Sequence, residues 1–500
     1  MRFKGSRVFQ EWGRPIVRAR VCTVVIHIIF FAGAVAAHAK TVEDDPVVLK
    51  DVQTIGDALK NADSRPVHIL YMHGINSLGS DDSRVFRESI CRIVRVCDGD
   101  WRNAGTEYPD HGVFALDAAA PTLEYLGIPI WTNENKAEDW RASAPFVTHY
   151  VVRLRGHNAI LVVDEINWWP LVIKLKCQRI VPEDAHLAGP SKSLLNFCTL
   201  PAKSDPDNPQ RFTDYQWMPE QQAAEIRVLP NRAALINRQL KTGLEDWGFS
   251  DVFLGIGPLR PVLEEGLRQL IAKSAAFDPR AGAGTASVHQ GRQTYNWRAQ
   301  LADGKSDDQV FIAVTHSMGS FLLLDTLNLE TKDRAAIAPL GNDPQMNLNE
   351  SQALQYVVER TSLIYFFANQ VPLLELANLT AGSTSASASG GAASAAGAEA
   401  TETAAPAEDV LISHWAQVHA EFEQRLHPGE TSAQQKMQIV AFSDASDLLT
   451  WRVPKLRDVD VDNVYVQNAF HWFWVIESPT PAHEGYAKNK KVIRMMFGKQ

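Results

Sequence analysis

Residues 310–324 read Val310-Phe311-Ile312-Ala313-Val314-Thr315-His316-Ser317-Met318-Gly319-Ser320-Phe321-Leu322-Leu323-Leu324. The first five are apolar and mostly β-branched or aromatic, the composition of a buried strand. Beyond Ser320, residues Leu323, Leu324, Leu327 and Leu329 suit a helix packed against that strand. Ser317 therefore falls at a strand-to-helix turn, with Gly319 two residues on. A turn this tight requires small residues beside the serine, and its strained backbone presents Oγ at the end of the strand. The small residue on the N-terminal side is Thr315, where a glycine is commoner.

Working outward, the chain alternates strand-like and helix-like segments. Residues 66–72 form an apolar run that leads into His73-Gly74-Ile75-Asn76, and residues 83–96 are helical in pattern. Residues 146–154, 159–163 and 251–254 read as further strands. Pro261 suits the first turn of a helix on which Leu263, Leu267, Leu270 and Ile271 share one face. Residues 363–368, 438–442 and 464–466 complete the strand series. The fold class this implies is α/β, a mostly parallel sheet with helices on both faces. Two stretches depart from the pattern. Residues 381–408 are almost wholly Ala, Gly, Ser, Thr and Glu and read as a flexible insertion. Residues 101–247, long and loop-rich with several tryptophans including Trp168-Trp169, could carry a cap or lid, although buried aromatics also serve as plain core.

The first 39 residues have the form of a secretory leader. Six basic residues precede the apolar residues 21–35, and Ala37-His38-Ala39 is a small-residue cleavage site. The main domain then spans 40–500, exported to the periplasm, the cell envelope or the medium. Loss of the leader removes six basic residues and Glu11, taking the formal charge from −9 to −14. That balance argues against nucleic-acid binding. Four cysteines remain, Cys91, Cys97, Cys177 and Cys198. Their even number in an exported chain implies two disulfides, with Cys91–Cys97 and Cys177–Cys198 favoured by proximity. No C-x₂-C pair points to zinc.

A serine hydroxyl becomes a nucleophile only when a base takes its proton and a carboxylate orients that base. Downstream of Ser317 both are present in order. The strand at 438–442 runs into Ser443-Asp444-Ala445-Ser446-Asp447-Leu448-Leu449, and the late segment 479–486 carries His483. With this order, the turn at Ser317 and His73-Gly74, the chain resembles the α/β-hydrolase superfamily of serine esterases and lipases over most of residues 65–497.

The resemblance implies Ser317 as nucleophile and His483 as general base. It implies Asp447 as the acid, a few residues past its strand and before an apolar pair, with Asp444 as the alternative. The other carboxylate would then accept hydrogen bonds within the loop. The oxyanion hole would use the Met318 N–H and one from Ile75 or Asn76, where Gly74 lets the backbone approach. His316 reads as a packing and hydrogen-bonding residue, and His471, among aromatics, as a weaker candidate base. The expected reaction is cleavage of a carboxylic ester, of a small molecule or of a lipid, without metal or organic cofactor. A lipid substrate would bring peripheral contact with a membrane. An amidase, thioesterase or acyltransferase would use the same groups, and a non-catalytic envelope protein on the same scaffold is the remaining alternative.

Overall fold

The computed structural model describes residues 52–75, 82–109, 144–156, 158–176, 203–204, 212–214, 250–257, 260–280, 309–327, 344–375, 408–426, 436–456, 459–468, 471–472, 476–477 and 479–498. Residues 1–39, expected as a leader, Cys177, Cys198, Asn76 and the Ala/Ser/Gly-rich 381–408, except for Glu408, lie outside them.

Eight strands build one sheet: β1 (Val67–Met72), β2 (Arg102–Glu107), β3 (Phe146–Arg153), β4 (Ile160–Asn167), β5 (Val310–His316), β6 (Thr361–Phe367), β7 (Met437–Ser443) and β8 (Val459–Tyr465). Their order is β8-β7-β6-β5-β1-β4-β3-β2. All neighbouring pairs are parallel except β4 with β3 and β3 with β2, so β3 alone is reversed. The α/β architecture expected from the alternation is the one observed.

The α-helices among the described residues are α1 (Ile55–Asn61), α2 (Arg84–Ser89), α3 (Trp169–Leu175), α4 (Ser250–Ile256), α5 (Arg260–Ala276), α6 (Met318–Leu327), α7 (Pro344–Glu359), α8 (Val371–Glu375), α9 (Glu408–Leu426), α10 (Pro479–Glu484) and α11 (Lys490–Met496). A strand's side chains alternate between faces, and here both faces are buried. Leu70 and Met72 of β1, with Phe311 and Ala313 of β5, pack under α5, α6, α7 and α9. Val67, Ile69 and Tyr71, with Ile312 and Val314, pack under α1, α2 and α11. Burial on two faces is why these strands read as continuous apolar runs without polar alternation. Local signals fix the helix ends. Thr54 and Asp57 form a reciprocal capping box on α1, and the Asn489 side chain caps α11 by accepting from Lys491 N.

One expectation is corrected. Residues 251–254, expected as a strand, lie within helix α4. A short apolar run cannot by periodicity be told from a buried helical turn. The helix is selected by tertiary contacts: Asp251 forms a buried ion pair with Lys176, just past α3, and Gly255 packs on Met318. Residues 102–107 form β2, which polar residues at the sheet edge had hidden. With β3 and β4, β2 makes much of the front of range 101–247 part of the sheet itself.

A polar island interrupts the core near the start of β1. Asp164 accepts from His68 Nδ1 at 2.7 Å and from His149 Nδ1 at 2.6 Å, and His149 stacks on Phe277 with ring centroids 4.1 Å apart. Each carboxylate oxygen thus has a ring nitrogen of its own, which is how a charge can be held in a dry interior.

In such an open α/β sheet, ligands bind at the carboxyl ends of the strands where the connection order reverses. Here that point lies at β1 and β5, since the chain leaves β1 toward β4 and leaves β5 toward β6. His73-Gly74 and Ser317 occupy those two strand ends.

Candidate functional site

Ser317 follows β5 and precedes α6. Its φ is +54°, in the left-handed region that a non-glycine residue enters at a cost. Neighbouring chain holds it there. Its N–H donates to Phe367 O at 2.8 Å, and Ser320 N donates to Ser317 O at 3.0 Å. Thr315 Oγ1 lies 2.8 Å from Ser320 Oγ, so the threonine in the glycine position bonds across the turn.

Two glycines let the elements close. A Cβ on Gly319 would lie 2.4 Å from His73 O and 2.6 Å from Met72 O, so α6 reaches the end of β1 only because residue 319 has no side chain. A Cβ on Gly74 would lie 2.6 Å from Ser317 Cβ and 2.7 Å from His316 Nδ1. The loop after β1 therefore runs directly against the serine turn. His73 anchors that loop. Its Nδ1 donates to Gly74 O at 2.7 Å, and its Nε2 accepts from Trp168 N at 3.3 Å. Trp168 Nε1 in turn donates to His73 O at 3.0 Å, and the two rings stack 5.1 Å apart. Burial outweighs the Gly74 carbonyl and pushes the His73 pKa down to about 4, consistent with this neutral tautomer.

Met318 is the first residue of α6, so its N–H has no partner within the helix. Ile75 lies in the turn after Gly74, partly buried against the main core. Met318 thus follows the serine on the helix side, and Gly74, just before Ile75, abuts Ser317 Cβ on the loop side.

His483 lies on α10, a short helix. Its Nδ1 faces Asp447, 2.9 Å from Oδ1 and 3.0 Å from Oδ2. Asp447 also accepts from Leu449 N at 3.0 Å. Burial works to raise the Asp447 pKa, but the bonds from His483, Leu449 and Tyr486 outweigh it and hold the carboxyl below its ordinary range. Ser317 Oγ and His483 Nε2 are both buried, and neither has a hydrogen-bond partner. Nε2 is the one ring nitrogen of His483 not committed to the carboxylate.

Asp444 does different work. Its Oδ1 accepts from Ser446 N at 2.9 Å and its Oδ2 from Asn468 N at 2.5 Å. Asn468 Nδ2 donates to Ala482 O at 2.9 Å, immediately before His483. Asp444 thus ties the loop after β7 to the loop after β8 and, through Asn468, to α10.

His316 packs against His483, with ring centroids 4.9 Å apart. Its Nε2 donates to His483 O at 2.7 Å. Its desolvated surroundings, and then the nearby His483, push its pKa down to about 3, so it is neutral. His471 sits in a two-stranded hairpin of residues 471–472 and 476–477. Three partners were not assigned to the site from sequence: Trp168 behind His73, Phe367 under Ser317 N, and Tyr486 beside Asp447. None carried a local signal: Tyr486 lies beyond the end of α10, across Gly485, in a separate turn.

Fold and site together define an α/β protein whose sheet gathers a strained serine and a histidine–aspartate pair at one end. Comparison with protein-family models, with curated proteins and with solved structures gives no match.

Proposed function

We propose that this chain is an exported serine hydrolase of the α/β-hydrolase type that cleaves carboxylic esters. One observation carries the reading. A serine forced to positive φ lies at the same sheet end as a His483–Asp447 pair whose free nitrogen, Nε2, is buried and unbonded. A buried polar atom without a partner is costly, and a catalytic role is one reason for a fold to keep one.

In this reading Asp447 fixes the His483 tautomer with the proton on Nδ1, leaving Nε2 as the base. Nε2 takes the Ser317 Oγ proton as Oγ attacks the ester carbonyl. The carbonyl oxygen becomes an oxyanion, stabilised by the Met318 N–H and by an N–H of the Ile75–Asn76 turn. His483 then protonates the leaving alcohol, and the acyl group stays on Ser317. Water, deprotonated by Nε2, attacks the acyl-enzyme and releases the acid. The neutral His316 and His73 supply no second base and act by holding the backbone of α10 and of the Gly74 turn.

An apolar acyl group suits the aromatic-rich composition and a lipid ester is the preferred class. The test is hydrolysis of p-nitrophenyl esters of increasing chain length by the leaderless protein. Turnover that rises with acyl length and disappears in Ser317→Ala supports the reading. Equal turnover by the two proteins contradicts it.

A further inference from the structure

Tyr486 is wholly buried, and its ring stacks on Phe367 with centroids 5.8 Å apart and planes 9° from parallel. Its hydroxyl oxygen accepts from Asp444 N at 2.7 Å. It lies 3.2 Å from Asp447 Oδ2. A backbone N–H can only donate, so it fills one acceptor site of the phenol oxygen. The phenol proton is then the only one that can lie between Tyr486 and the carboxylate. Proton direction is fixed: Asp444 N–H to Tyr486 Oη, and Tyr486 O–H to Asp447 Oδ2. Burial, with Asp447 next, raises the pKa of the phenol far above its ordinary value, so it is a donor across the working pH range.

From this geometry we infer that Tyr486 is a positioning residue for the hydrolase reaction, donating a hydrogen bond that fixes and tunes the Asp447 carboxylate facing His483. The inference rests on the hydrolase reading above. Asp447 Oδ2 is shared by two donors, the phenol and His483 Nδ1, and Oδ1 by His483 Nδ1 and Leu449 N. The phenol therefore restrains rotation of the carboxylate against the ring and draws off part of its negative charge. The same side chain touches both sides of the serine machinery. Phe367, which it stacks on, accepts the Ser317 N–H through its carbonyl. Asp444, whose N–H it receives, reaches α10 through Asn468. One side chain thus joins the acid to the strand end that holds the Ser317 backbone.

Tyr486→Phe keeps the ring and its stacking while deleting the hydroxyl. A hydrogen bond to a charged acceptor of this kind is worth roughly a tenfold change in rate when it serves the transition state. The experiment measures the rate of Ser317 labelling by a fluorophosphonate against pH in four proteins: wild type, Tyr486→Phe, Asp447→Asn and the double variant. A residue acting through Asp447 loses its effect when Asp447 is neutralised, whereas a general structural loss multiplies equally in both backgrounds. The expected result is a roughly tenfold loss from Tyr486→Phe in the wild-type background and less than about twofold in the Asp447→Asn background. The acidic limb of the Tyr486→Phe profile should move to higher pH, because a carboxylate short of one donor keeps more negative charge against the His483 ring, while the loss of rate comes from the orientation that the phenol no longer fixes. If Tyr486→Phe folds poorly, 3-fluorotyrosine at position 486, a stronger donor, should move the limb to lower pH. Equal losses in both backgrounds, no loss at all, or a limb that does not move overturns the role of Tyr486 while leaving the hydrolase reading intact. Absence of Ser317 labelling in the wild type overturns the hydrolase reading itself.

Discussion

Replacing Gly319 by alanine should cost the protein at least about 2 kcal/mol in stability, against the ordinary preference of helices for alanine. Gly319 is in the first turn of α6, where alanine favours the helix by up to about 1 kcal/mol over glycine. The new Cβ would lie 2.4 Å from His73 O and 2.6 Å from Met72 O, both backbone atoms at the end of β1. Neither can rotate away, and the central strand cannot move without breaking its pairings with β4 and β5. Overpacking of a rigid core typically costs about 1–3 kcal/mol, and contact with fixed backbone belongs at or above the upper end. The steric term thus exceeds the propensity gain. Gly255 supplies the control: a Cβ there would meet Met318 Cε at 1.8 Å, the far end of a flexible side chain. Gly255→Ala should therefore cost about 1 kcal/mol or less, because Met318 can adopt another rotamer. Urea denaturation followed by circular dichroism gives both midpoints. A Gly319→Ala midpoint at or above that of the wild type would refute the close approach of α6 to β1.

Four further outcomes are expected. Asp447→Asn should lower ester hydrolysis by about 10²–10⁴-fold with the fold intact; Asp444→Asn should instead lower stability first, and a larger catalytic loss at Asp444 would reverse the assignment. The His149 pKa, though lowered by burial, is raised overall to about 9 by hydrogen bonds and charge from Asp164 and Glu107. Since the folded value lies above the unfolded one of about 6.5, its stabilisation is complete below about pH 6.5 and disappears as pH rises through about 9; the gap in melting temperature between wild type and His149→Asn should close over that window. Reduction of Cys91–Cys97, which closes a short loop behind α2, should cost roughly 2 kcal/mol, read as a shift of the urea midpoint on adding dithiothreitol. Mass mapping should find that bridge in the native protein.

The parts of the fold legible in sequence were those with dense local signals. The β5–Ser317–α6 segment could be read because an apolar run, a small-residue turn and a second apolar run stand side by side. The carboxyl-end loops could be read because their polar residues interrupt strands buried on both faces. Register and strand order depend on long-range pairing, so the central place of β1 could not be read. Nor could α4: Asp251-Val252-Phe253-Leu254 has no period long enough to separate helix from strand. Asp444 and Asp447 stood as open alternatives because both follow β7 within four residues. Their partners, Asn468 and His483, become visible only once the later loops fold back. Tyr486 remained unassigned for the same reason, since its phenol matters only because Asp444 N and Asp447 Oδ2 converge on it.

The central claim is that Ser317 is a nucleophile activated by His483. The most direct measurement is to incubate the protein from residue 40 onward with a fluorophosphonate and locate the adduct by tandem mass spectrometry, with His483→Ala alongside. The account predicts one adduct per chain, on Ser317, with labelling slowed by roughly 10⁴-fold or more when His483 is removed. Labelling at another residue, or labelling of Ser317 that is as fast without His483, contradicts it.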